Sequence, residues 1–409
     1  MTAGDTERGP IAYVMSRFPK LTETFVFDEI LEMERQGESV EIFPLWREQE
    51  QISHQEVAAL VDRAHFLPLI SGEIVRDLLY WLIRRPWDLL AALATLITAN
   101  ISSLRYLGGG LAAFPKACTM ARQMQRLGVT HLHAHFASHP AAIAFVIARL
   151  TGIPFSFTAH GSDLHREQAM LPEKVRAARF VVAISDYNRR FILEHVGEEQ
   201  SHKIRVVHCG VDVTGFYTGK AGSEVLNIVC IGTLHEVKGQ RFLLDACAKL
   251  EAVGTPWRCH FIGDGPDRAQ LEALARDKGI IDKVVFHGNC DRARVRELLA
   301  QMSIGCAPSV PTANGRREGI PVALIEAGAS ALPLVASRLS GIPELIAEGD
   351  NGLLAEPGDS EALAGALVLL ATDRSMREKM GLRARGTVER EFSLSSGVRR
   401  LRHLIAEYA

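Results

Sequence analysis

Residues 318–326 read Glu-Gly-Ile-Pro-Val-Ala-Leu-Ile-Glu, so two glutamates stand eight positions apart around a Gly-Ile-Pro turn. Proline favours the first position of a helix, because that position needs no backbone N–H donor. If the helix begins at Pro321, Glu318 lies in the preceding loop and Glu326 lies about 8 Å along the helix axis. Carboxylates this far apart cannot share one proton-transfer site. They suit two polyhydroxyl groups of one extended ligand, with its phosphates at the helix N-terminus. The alternative is a pair of surface glutamates at a helix start.

A second Gly-Ile-Pro stands at residues 341–343, and the apolar run 333–336 separates the two copies. Each proline again predicts the start of a helix. Two helix N-termini that follow neighbouring strands can face one crevice at the carboxyl edge of a parallel sheet, where open α/β sheets bind ligands. The free N–H groups of a helix N-terminus favour a phosphate.

Apolar, β-branched runs alternate with helical segments along the whole chain, which predicts parallel β-α-β units. The first half holds six candidate strands, at 11–15, 40–45, 131–136, 155–158, 180–184 and 204–207. The second half holds six more, at 226–231, 259–262, 283–287, 304–307, 333–336 and 352–355. The polar, glycine-containing stretch 214–224 predicts a domain boundary between the halves, and a charged helical stretch, 375–408, closes the chain.

Length and charge narrow the classes of protein that fit. With 409 residues the chain exceeds a single core, because single cores rarely grow past roughly 250–300 residues. The formal net charge of −2 gives no overall footprint for binding nucleic acid. Seven scattered cysteines predict reduced thiols and a cytoplasmic location. The N-terminus does not read as a secretory signal, which disfavours a secreted sugar-binding protein.

The common nucleotide-binding fingerprints are incomplete. Gly263-Asp-Gly265 has Arg268 where a dinucleotide-binding motif needs a third glycine. Gly219-Lys220 lacks both the earlier glycine and the following Ser or Thr of a P-loop. A Rossmann dehydrogenase and a P-loop NTPase are therefore disfavoured.

The glutamate motif resembles the donor motif of retaining glycosyltransferases of family 4, and the resemblance extends over nearly the whole chain. That family has the GT-B fold, an α/β architecture of two Rossmann-like domains whose parallel sheets face an interdomain cleft. In its Glu-x7-Glu motif the first glutamate holds hydroxyls of the donor sugar and the second holds the ribose. The resemblance therefore implies these roles for Glu318 and Glu326, with the backbone of Gly319, Ile320 and Pro321 near the sugar and the diphosphate.

The octapeptide that begins at Gly232, Gly-Thr-Leu-His-Glu-Val-Lys-Gly, resembles the loop with which the family clasps the diphosphate. The resemblance implies donor contacts from Gly232, Thr233 and Lys238. The family has an arginine at the position of Thr233, and a hydroxyl can hydrogen-bond a phosphate but carries no charge. Arg316 or Arg317 could supply the missing cation.

On the acceptor side, residues 158–163, Thr-Ala-His-Gly-Ser-Asp, resemble the family loop that places a histidine near the reacting sugar. This implies a site that contains His160 and Asp163. The segment His133-Ala-His135 also resembles a family segment, and it fits a core strand with hydrogen-bonded histidines equally well.

Residues 18–25, Phe-Pro-Lys-Leu-Thr-Glu-Thr-Phe, resemble the N-terminal loop of family members that build bacterial exopolysaccharides of the colanic-acid type. The resemblance places Thr22, Glu23 and Thr24 at the cleft, where the threonines could donate hydrogen bonds to the donor phosphate or to the acceptor. A capping box before the next helix explains the same residues, and both interpretations can hold together.

The resemblance also implies how the chain is divided. The N-terminal domain, 1–213, would bind the acceptor and the C-terminal domain, 214–385, the nucleotide sugar. Contacts to the base, largely from the backbone, are expected around Asn289 and Cys290. The terminal helix, 386–409, is expected to pack back on the first domain.

The implied enzyme is a retaining, metal-independent hexosyltransferase without a cofactor. It would move a hexose from a UDP- or GDP-linked sugar to a glycan or lipid-linked acceptor in exopolysaccharide or cell-surface polysaccharide synthesis. The implied catalytic residues are His160, Lys238 and Glu318, and the sequence has no Asp-x-Asp pair of the kind that would hold a metal. Transfer to a small soluble acceptor and GT-B sugar-nucleotide epimerisation remain alternatives.

Residues 78–114 combine Trp81, Trp87, many leucines and the pair Arg84-Arg85. Two interpretations fit: helices packed inside the first domain, or a surface that meets a membrane with tryptophan at the interface. We expect this region to make a peripheral contact with the inner face of a membrane, from which a lipid-linked acceptor would be taken.

Overall fold

The computed structural model describes residues 9–20, 23–48, 55–216, 225–313 and 315–408. The chain forms two compact units. The first comprises the chain up to Ile184, Asn188–Val207 and the segment from Val398 onward, and the second comprises Ser185–Tyr187 and His208–Gly397. The change of unit at His208 lies a few residues before the expected boundary at 213, and the segment that groups with the first unit begins at Val398 instead of at 386.

The first unit is built on a parallel six-stranded sheet with the order β2-β1-β3-β4-β5-β6. Its strands are β1 Ile11–Phe18, β2 Val40–Arg47, β3 His131–His135, β4 Phe155–Ala159, β5 Phe180–Ala183 and β6 Ile204–Val206. The helices that accompany them are α1 Thr24–Arg35, α2 Gln55–Asp62, α3 Gly72–Arg84, α4 Pro86–Thr98, α5 Leu104–Leu127, α6 His139–Thr151, α7 Ser162–His165, α8 Leu171–Ala177 and α9 Asp186–Val196.

The second unit repeats the scheme with a parallel sheet of order β12-β11-β10-β7-β8-β9. Its strands are β7 Leu226–Ile231, β8 Trp257–Ile262, β9 Val284–Phe286, β10 Ile304–Ala307, β11 Leu334–Ser337 and β12 Gly352–Ala355. The helices are α10 Gln240–Lys249, α11 Arg268–Asp277, α12 Arg292–Leu299, α13 Val322–Ala329, α14 Ile342–Leu345, α15 Ser360–Thr372 and α16 Arg374–Glu391. The last helix, α17 Leu394–Tyr408, begins in this unit and belongs to the first unit from Val398 onward. Every predicted strand is present, with ends shifted by at most three residues.

The strands are short and mostly buried, as expected of parallel sheets that are covered by helices on both faces. Two neighbouring strands of the first sheet depart from the apolar pattern. His131, His133 and His135 on β3 and Ser156 and Thr158 on β4 are all buried. Because buried polar groups require hydrogen-bond partners, these side chains are a feature to be explained.

The region 78–114 is divided among three helices, α3, α4 and α5. Trp81 on α3 is only 1% exposed, and its Nε1 donates to the carbonyl oxygen of Cys118 at 2.9 Å. Trp87 on α4 is 81% exposed. The packed-helix interpretation is therefore right for Trp81 and wrong for Trp87. Among the helices that the structure describes, none is long and apolar enough to cross a membrane.

The charged segment near the C-terminus consists of two helices, not one. The backbone between α16 and α17 pairs with Val211: Val211 N–H donates to the carbonyl of Phe392, and Leu394 N–H donates to the carbonyl of Val211, both at 3.0 Å. These hydrogen bonds interrupt the helix at this point.

Candidate active site

In the second unit, the loops that follow β7, β8 and β9 contact one another through their backbones. Gly232 N–H donates to the carbonyl of Ile262 at 2.9 Å, and Gly263 N–H donates to the carbonyl of Gly288 at 2.8 Å. A Cβ on Gly263 would lie 2.3 Å from the carbonyl oxygen of Gly232, and the φ angle of Gly263 is +127°. Only glycine fits there, so the carboxyl edge of this sheet presents backbone to any ligand.

Lys238 crosses this edge from a single 3₁₀ turn, Glu236–Lys238. The turn is capped by His235, whose Nδ1 accepts from Val237 N–H at 3.3 Å. A Cβ on Gly232 would lie 2.9 Å from the Cε of Lys238, so the lysine stem passes directly over that glycine. The ammonium group is thereby held over the loop that follows β7.

Lys238 Nζ donates to Glu318 Oε2 at 2.7 Å, and the two side chains are 20% and 18% exposed. The hydroxyl of Ser309, from the loop after β10, lies 3.5 Å from the same carboxylate oxygen. A cavity of about 10 Å³ borders these polar groups and Pro321, which is room for about one water molecule. The structure thus joins two of the sequence-predicted donor residues that stand far apart along the chain.

The Gly-Ile-Pro turn leads into α13, but the helix begins at Val322 and Pro321 is its N-cap. The carbonyl of Pro321 accepts from Leu324 N–H at 2.9 Å. Gly319 is partly buried, Ile320 is buried, and Glu326 lies in the second turn of the helix, partly buried. The helix after the second Gly-Ile-Pro, α14, has only four residues, so its N-terminus carries little of a helix dipole.

The remaining predicted donor residues lie around this edge. Thr233 is exposed, and its carbonyl accepts from Gln240 Nε2 at 3.0 Å. Asn289 is exposed and Cys290 is partly buried, with its Sγ 3.8 Å from the carbonyl oxygen of Gly288. Burial raises the pKa of Cys290. All seven cysteines are free thiols, in agreement with the sequence.

The two arginines considered as replacements for the missing cation differ in their surroundings. Arg317 Nη1 donates to the hydroxyl of Tyr187, which groups with the second unit, at 2.9 Å. The Nε of Arg317 is buried without a hydrogen-bond partner. Arg316 is exposed. A guanidinium with an unused buried N–H is the better placed of the two to donate to a phosphate oxygen after a side-chain shift.

In the first unit, the polar side chains of β3 and β4 form one hydrogen-bonded row. Ser156 Oγ lies 2.7 Å from His131 Nε2 and 2.8 Å from His133 Nδ1, and Thr158 Oγ1 lies 2.9 Å from His133 Nε2. Burial lowers the pKa of His131 and of His133 to about 3. These two rings are therefore neutral at physiological pH and act as structural hydrogen-bonding groups.

The row ends at His160, which immediately follows β4. His135 Nδ1 lies 3.2 Å from His160 Nε2, and His135 Nε2 lies 3.2 Å from Glu29 Oε1. The hydroxyl of Tyr13 donates to the same oxygen of Glu29 at 2.9 Å. Burial alone would raise the pKa of Glu29, but the charge and hydrogen bond of His135 lower it to about 2. Glu29 is therefore ionised and orients His135 toward His160. The sequence pattern did not single out Glu29 or Tyr13.

The loop that carries His160 is fixed by Asp163. The carboxylate of Asp163 accepts from the backbone N–H groups of Ala137 at 2.6 Å, Gly161 at 2.7 Å and His160 at 3.1 Å. Burial raises the pKa of Asp163. The role of Asp163 visible here is to hold this loop. Burial lowers the pKa of His160 well below its ordinary value, so the imidazole is neutral, and the ring of Phe25 packs 4.7 Å from it.

The predicted N-terminal loop is only partly described. Thr22 lies outside the described residues. Glu23 is the N-cap of α1 but makes no side-chain capping bond, and Thr24 is the first helical residue. The capping-box interpretation is therefore not supported by the described part of the loop. Glu23 forms an ion pair with Lys20, and burial raises its pKa.

Within the described ranges, one group of side chains has the spacing of a metal site: Glu29, His133 and His135, whose ligand atoms lie within 4.8 Å of one another. Both ring nitrogens of each histidine and Oε1 of Glu29 already make hydrogen bonds, to one another, to Tyr13, Ser156 and Thr158, and to His160.

Comparison with known proteins identifies the fold and, through the family models, the class of protein. The solved structure of Anabaena Alr3699/HepE in complex with UDP superposes with a TM-score of 0.73 at 17% sequence identity, and covers 97% of this chain and 100% of that one. Two parallel six-stranded sheets with flanking helices are the GT-B architecture. Residues 22–214 match the domain model Glycosyltransferase Family 4, and residues 226–373 match the model Glycosyl transferases group 1. The chain belongs to this family of glycosyltransferases.

Among curated proteins, two relatives indicate the branch of the family. WcaL of Salmonella typhimurium, named for colanic acid biosynthesis, is 28% identical over an alignment of 410 positions that covers 97% of this chain and 99% of WcaL. AmsK of Erwinia amylovora, named for amylovoran biosynthesis, is 35% identical over 211 residues, which are 51% of this chain and 52% of AmsK. Both are named glycosyltransferases.

Proposed function

We propose that this glycosyltransferase moves a hexose, with retention of anomeric configuration, from a UDP- or GDP-linked sugar to a glycan or lipid-linked acceptor in the synthesis of an exopolysaccharide or another cell-surface polysaccharide. The full-length similarity to WcaL and the partial similarity to AmsK support the pathway class. The similarity in fold to a protein solved with UDP supports a nucleotide-linked donor.

The observation that carries the proposal is the contact between Lys238 and Glu318 beside the glycine-lined edge of the second sheet. A diphosphate needs a cation and backbone N–H groups, and a sugar needs a carboxylate that accepts from its hydroxyls. Here the ammonium of Lys238 and the carboxylate of Glu318 lie together in front of the N-terminus of α13. Such an N-terminus favours an anion. Glu326, one turn further along, would accept from the ribose hydroxyls.

The chemical step breaks the bond between the anomeric carbon and the diphosphate oxygen and forms a bond to the acceptor oxygen. Negative charge grows on the leaving diphosphate. Lys238 and the N–H groups at the start of α13 stabilise that charge without moving, and a fixed donor of this kind contributes roughly 3 kcal/mol in known enzymes. The acceptor's proton passes to the leaving diphosphate, so the products are a glycoside and a nucleoside diphosphate. No divalent metal is required for this balance.

In the first unit, His160 would meet the acceptor or the reacting sugar as a neutral hydrogen-bonding group. Its burial and its contact with His135 favour the uncharged ring. Glu29 and His135 would fix the orientation of that ring, which suits positioning better than carrying charge.

A thermal-shift panel of UDP, GDP and their sugars identifies the donor, since a ligand at a hundred times its dissociation constant adds about 2.7 kcal/mol of stability. Transfer from that donor to membrane lipid extracts is then followed by NMR of the anomeric coupling in the product. Retained configuration on a lipid-linked product supports the proposal. An inverted product overturns the stereochemistry. Conversion of the donor sugar without any acceptor would indicate the alternative, an epimerase.

A further inference from the structure

A separate cleft of about 640 Å³ lies at the amino edge of the first sheet. Its base is formed where three neighbouring strands begin: Phe155 opens β4, Arg179 immediately precedes β5, and Lys203 immediately precedes β6. Asp88 of α4 and Tyr408 of α17 line its sides. The volume falls within the range of pockets that hold small ligands, roughly 300–1,000 Å³.

This cleft is distinct from the candidate active site. His160 follows the opposite end of β4, and a five-residue strand spans about 16 Å. None of the residues assigned to donor or acceptor contacts lines the cleft. Substitutions in it therefore leave the proposed catalytic groups in place.

The cleft is strongly basic. Arg149, Arg176, Arg179 and Lys203 line it, and within the described residues none of the four forms an ion pair with a carboxylate. The one acidic residue in the lining, Asp88, already pairs with Arg85 at 3.6 Å. The cleft thus gathers four basic side chains, and the carboxylates of the described residues form no ion pair with them.

These charges act on each other and on their neighbours. Lys203 Nζ donates to the carbonyls of Arg176 at 2.5 Å and Val175 at 3.5 Å, which fixes the ammonium inside the cleft. Burial lowers the pKa of Lys203, and the charge of Arg179 lowers it further. The positive charges of Lys203 and Arg179 repel each other, so binding of an anion would relieve that repulsion. Guanidinium groups bind phosphate with paired hydrogen bonds.

Exposed apolar side chains lie on α4, which supplies Asp88 to the cleft, and on the preceding helix α3. Ile83 is 83% exposed, Trp87 81% and Leu90 48%. Trp87 and Leu90 bracket Asp88, which is part of the cleft wall. Tryptophan and leucine next to basic groups are typical of surfaces that enter the headgroup region of a bilayer.

We propose that the cleft binds the phosphate group of an anionic lipid, with Arg149, Arg176, Arg179 and Lys203 around the phosphate and with Trp87 and Leu90 in the bilayer interface. The site would seat the first unit on a membrane. It goes beyond the proposed transfer reaction and does not depend on it, because vesicle binding is measured without donor or acceptor.

The full-length protein is sedimented with phosphatidylcholine vesicles that contain or lack phosphatidylglycerol, at low salt. We expect binding only to the vesicles with phosphatidylglycerol. Since each basic residue near an anionic bilayer changes the partition coefficient by about fivefold, Arg176→Gln/Arg179→Gln should weaken binding by about 25-fold. The matched control is Arg189→Gln/Arg190→Gln on α9, which removes the same charge away from the cleft lining and should bind nearly as wild type.

Melting temperatures measured beside the binding curves show that each variant is folded. Equal weakening of vesicle binding by the cleft and control variants would show that only net charge matters, and would overturn the proposed site. Unchanged vesicle binding by the cleft variant would also overturn the proposed site. Inorganic phosphate provides the third arm. Phosphate could raise the melting temperature of wild type but not of Arg176→Gln/Arg179→Gln, while wild type binds neither kind of vesicle. In that case the ligand is a soluble phosphate compound and the lipid assignment is wrong.

Discussion

Lys238 Nζ and Glu318 Oε2 lie 2.7 Å apart although 80 positions separate the two residues along the chain. Both side chains are about four-fifths buried. Each of these charges thus has the other as its hydrogen-bond partner. In the proposed reaction the ammonium would donate to the diphosphate and the carboxylate would accept from a sugar hydroxyl, so binding would exchange one contact for two.

Lys238→Met should reduce turnover by about a hundredfold, because a fixed electrostatic donor to the leaving group contributes roughly 3 kcal/mol. The measurement is the steady-state rate with the donor identified by thermal shift. Lys249→Met is the matched control, since it removes a lysine that pairs with Glu361 on the surface of the same unit. The control should keep wild-type turnover. An equal loss of turnover in both variants would show that the effect is general destabilisation.

Activity should survive dialysis against EDTA, because fixed cations and a helix N-terminus handle the phosphate charge in the proposed reaction. The assay compares initial rates before dialysis, after dialysis and after addition of magnesium or manganese. Complete loss in chelator with recovery on metal addition would show that the assigned leaving-group chemistry is wrong.

Gly263→Ala should destabilise the second unit by at least about 2 kcal/mol, through backbone strain and a steric clash. The new Cβ would meet the carbonyl of Gly232 at 2.3 Å. Gly108→Ala on α5 is the control, because nothing lies within 4 Å of its Cβ position and alanine favours a helix over glycine by roughly 0.5–1 kcal/mol. Thermal unfolding should therefore move in opposite directions for the two variants. A neutral Gly263→Ala would contradict the close packing of the three loops.

Glu29→Gln should make the free energy of unfolding depend less on pH in the acid range. The pKa of Glu29 is about 2 in the folded chain against an ordinary value of 4.5. A carboxyl whose pKa is lowered by folding contributes stability that is present above about pH 4.5 and is lost as the pH falls toward 2. Wild type should therefore lose more free energy of unfolding than Glu29→Gln across that window. Parallel pH profiles, measured by denaturant titration, would contradict the ionised state of Glu29.

The strands of both sheets could be predicted because each is a short apolar run between helical segments, and that pattern is visible locally. The contact between Lys238 and Glu318 could be expected only from the resemblance to a family. The hydrogen-bonded row from Ser156 to His160 could be predicted only in part. The sequence marks the histidines of β3, but their hydrogen-bond partners lie on the neighbouring strand. The register between two strands cannot be read from the sequence of either strand alone.

Other features depend on tertiary packing that no local pattern carries. Trp81 and Trp87 stand six positions apart in similar surroundings, and only the docking of α3 on α5 buries one and leaves the other exposed. The basic cleft collects Arg149, Arg179 and Lys203 from separate strand beginnings and helix ends. Each of these residues taken alone looks like an ordinary surface cation.

The central claim, a nucleotide-sugar site built on Glu318 and Glu326, is tested most directly by calorimetric titration of the nucleoside diphosphate into wild type, Glu326→Ala and Glu318→Ala. Loss of a charge-assisted hydrogen bond costs roughly 1.5–3 kcal/mol. Glu326→Ala should therefore raise the dissociation constant by about 10- to 100-fold. Glu318→Ala should leave it nearly unchanged and lower turnover instead, since that carboxylate serves the sugar. An equal loss of nucleotide affinity in both variants, or none in either, would contradict the account.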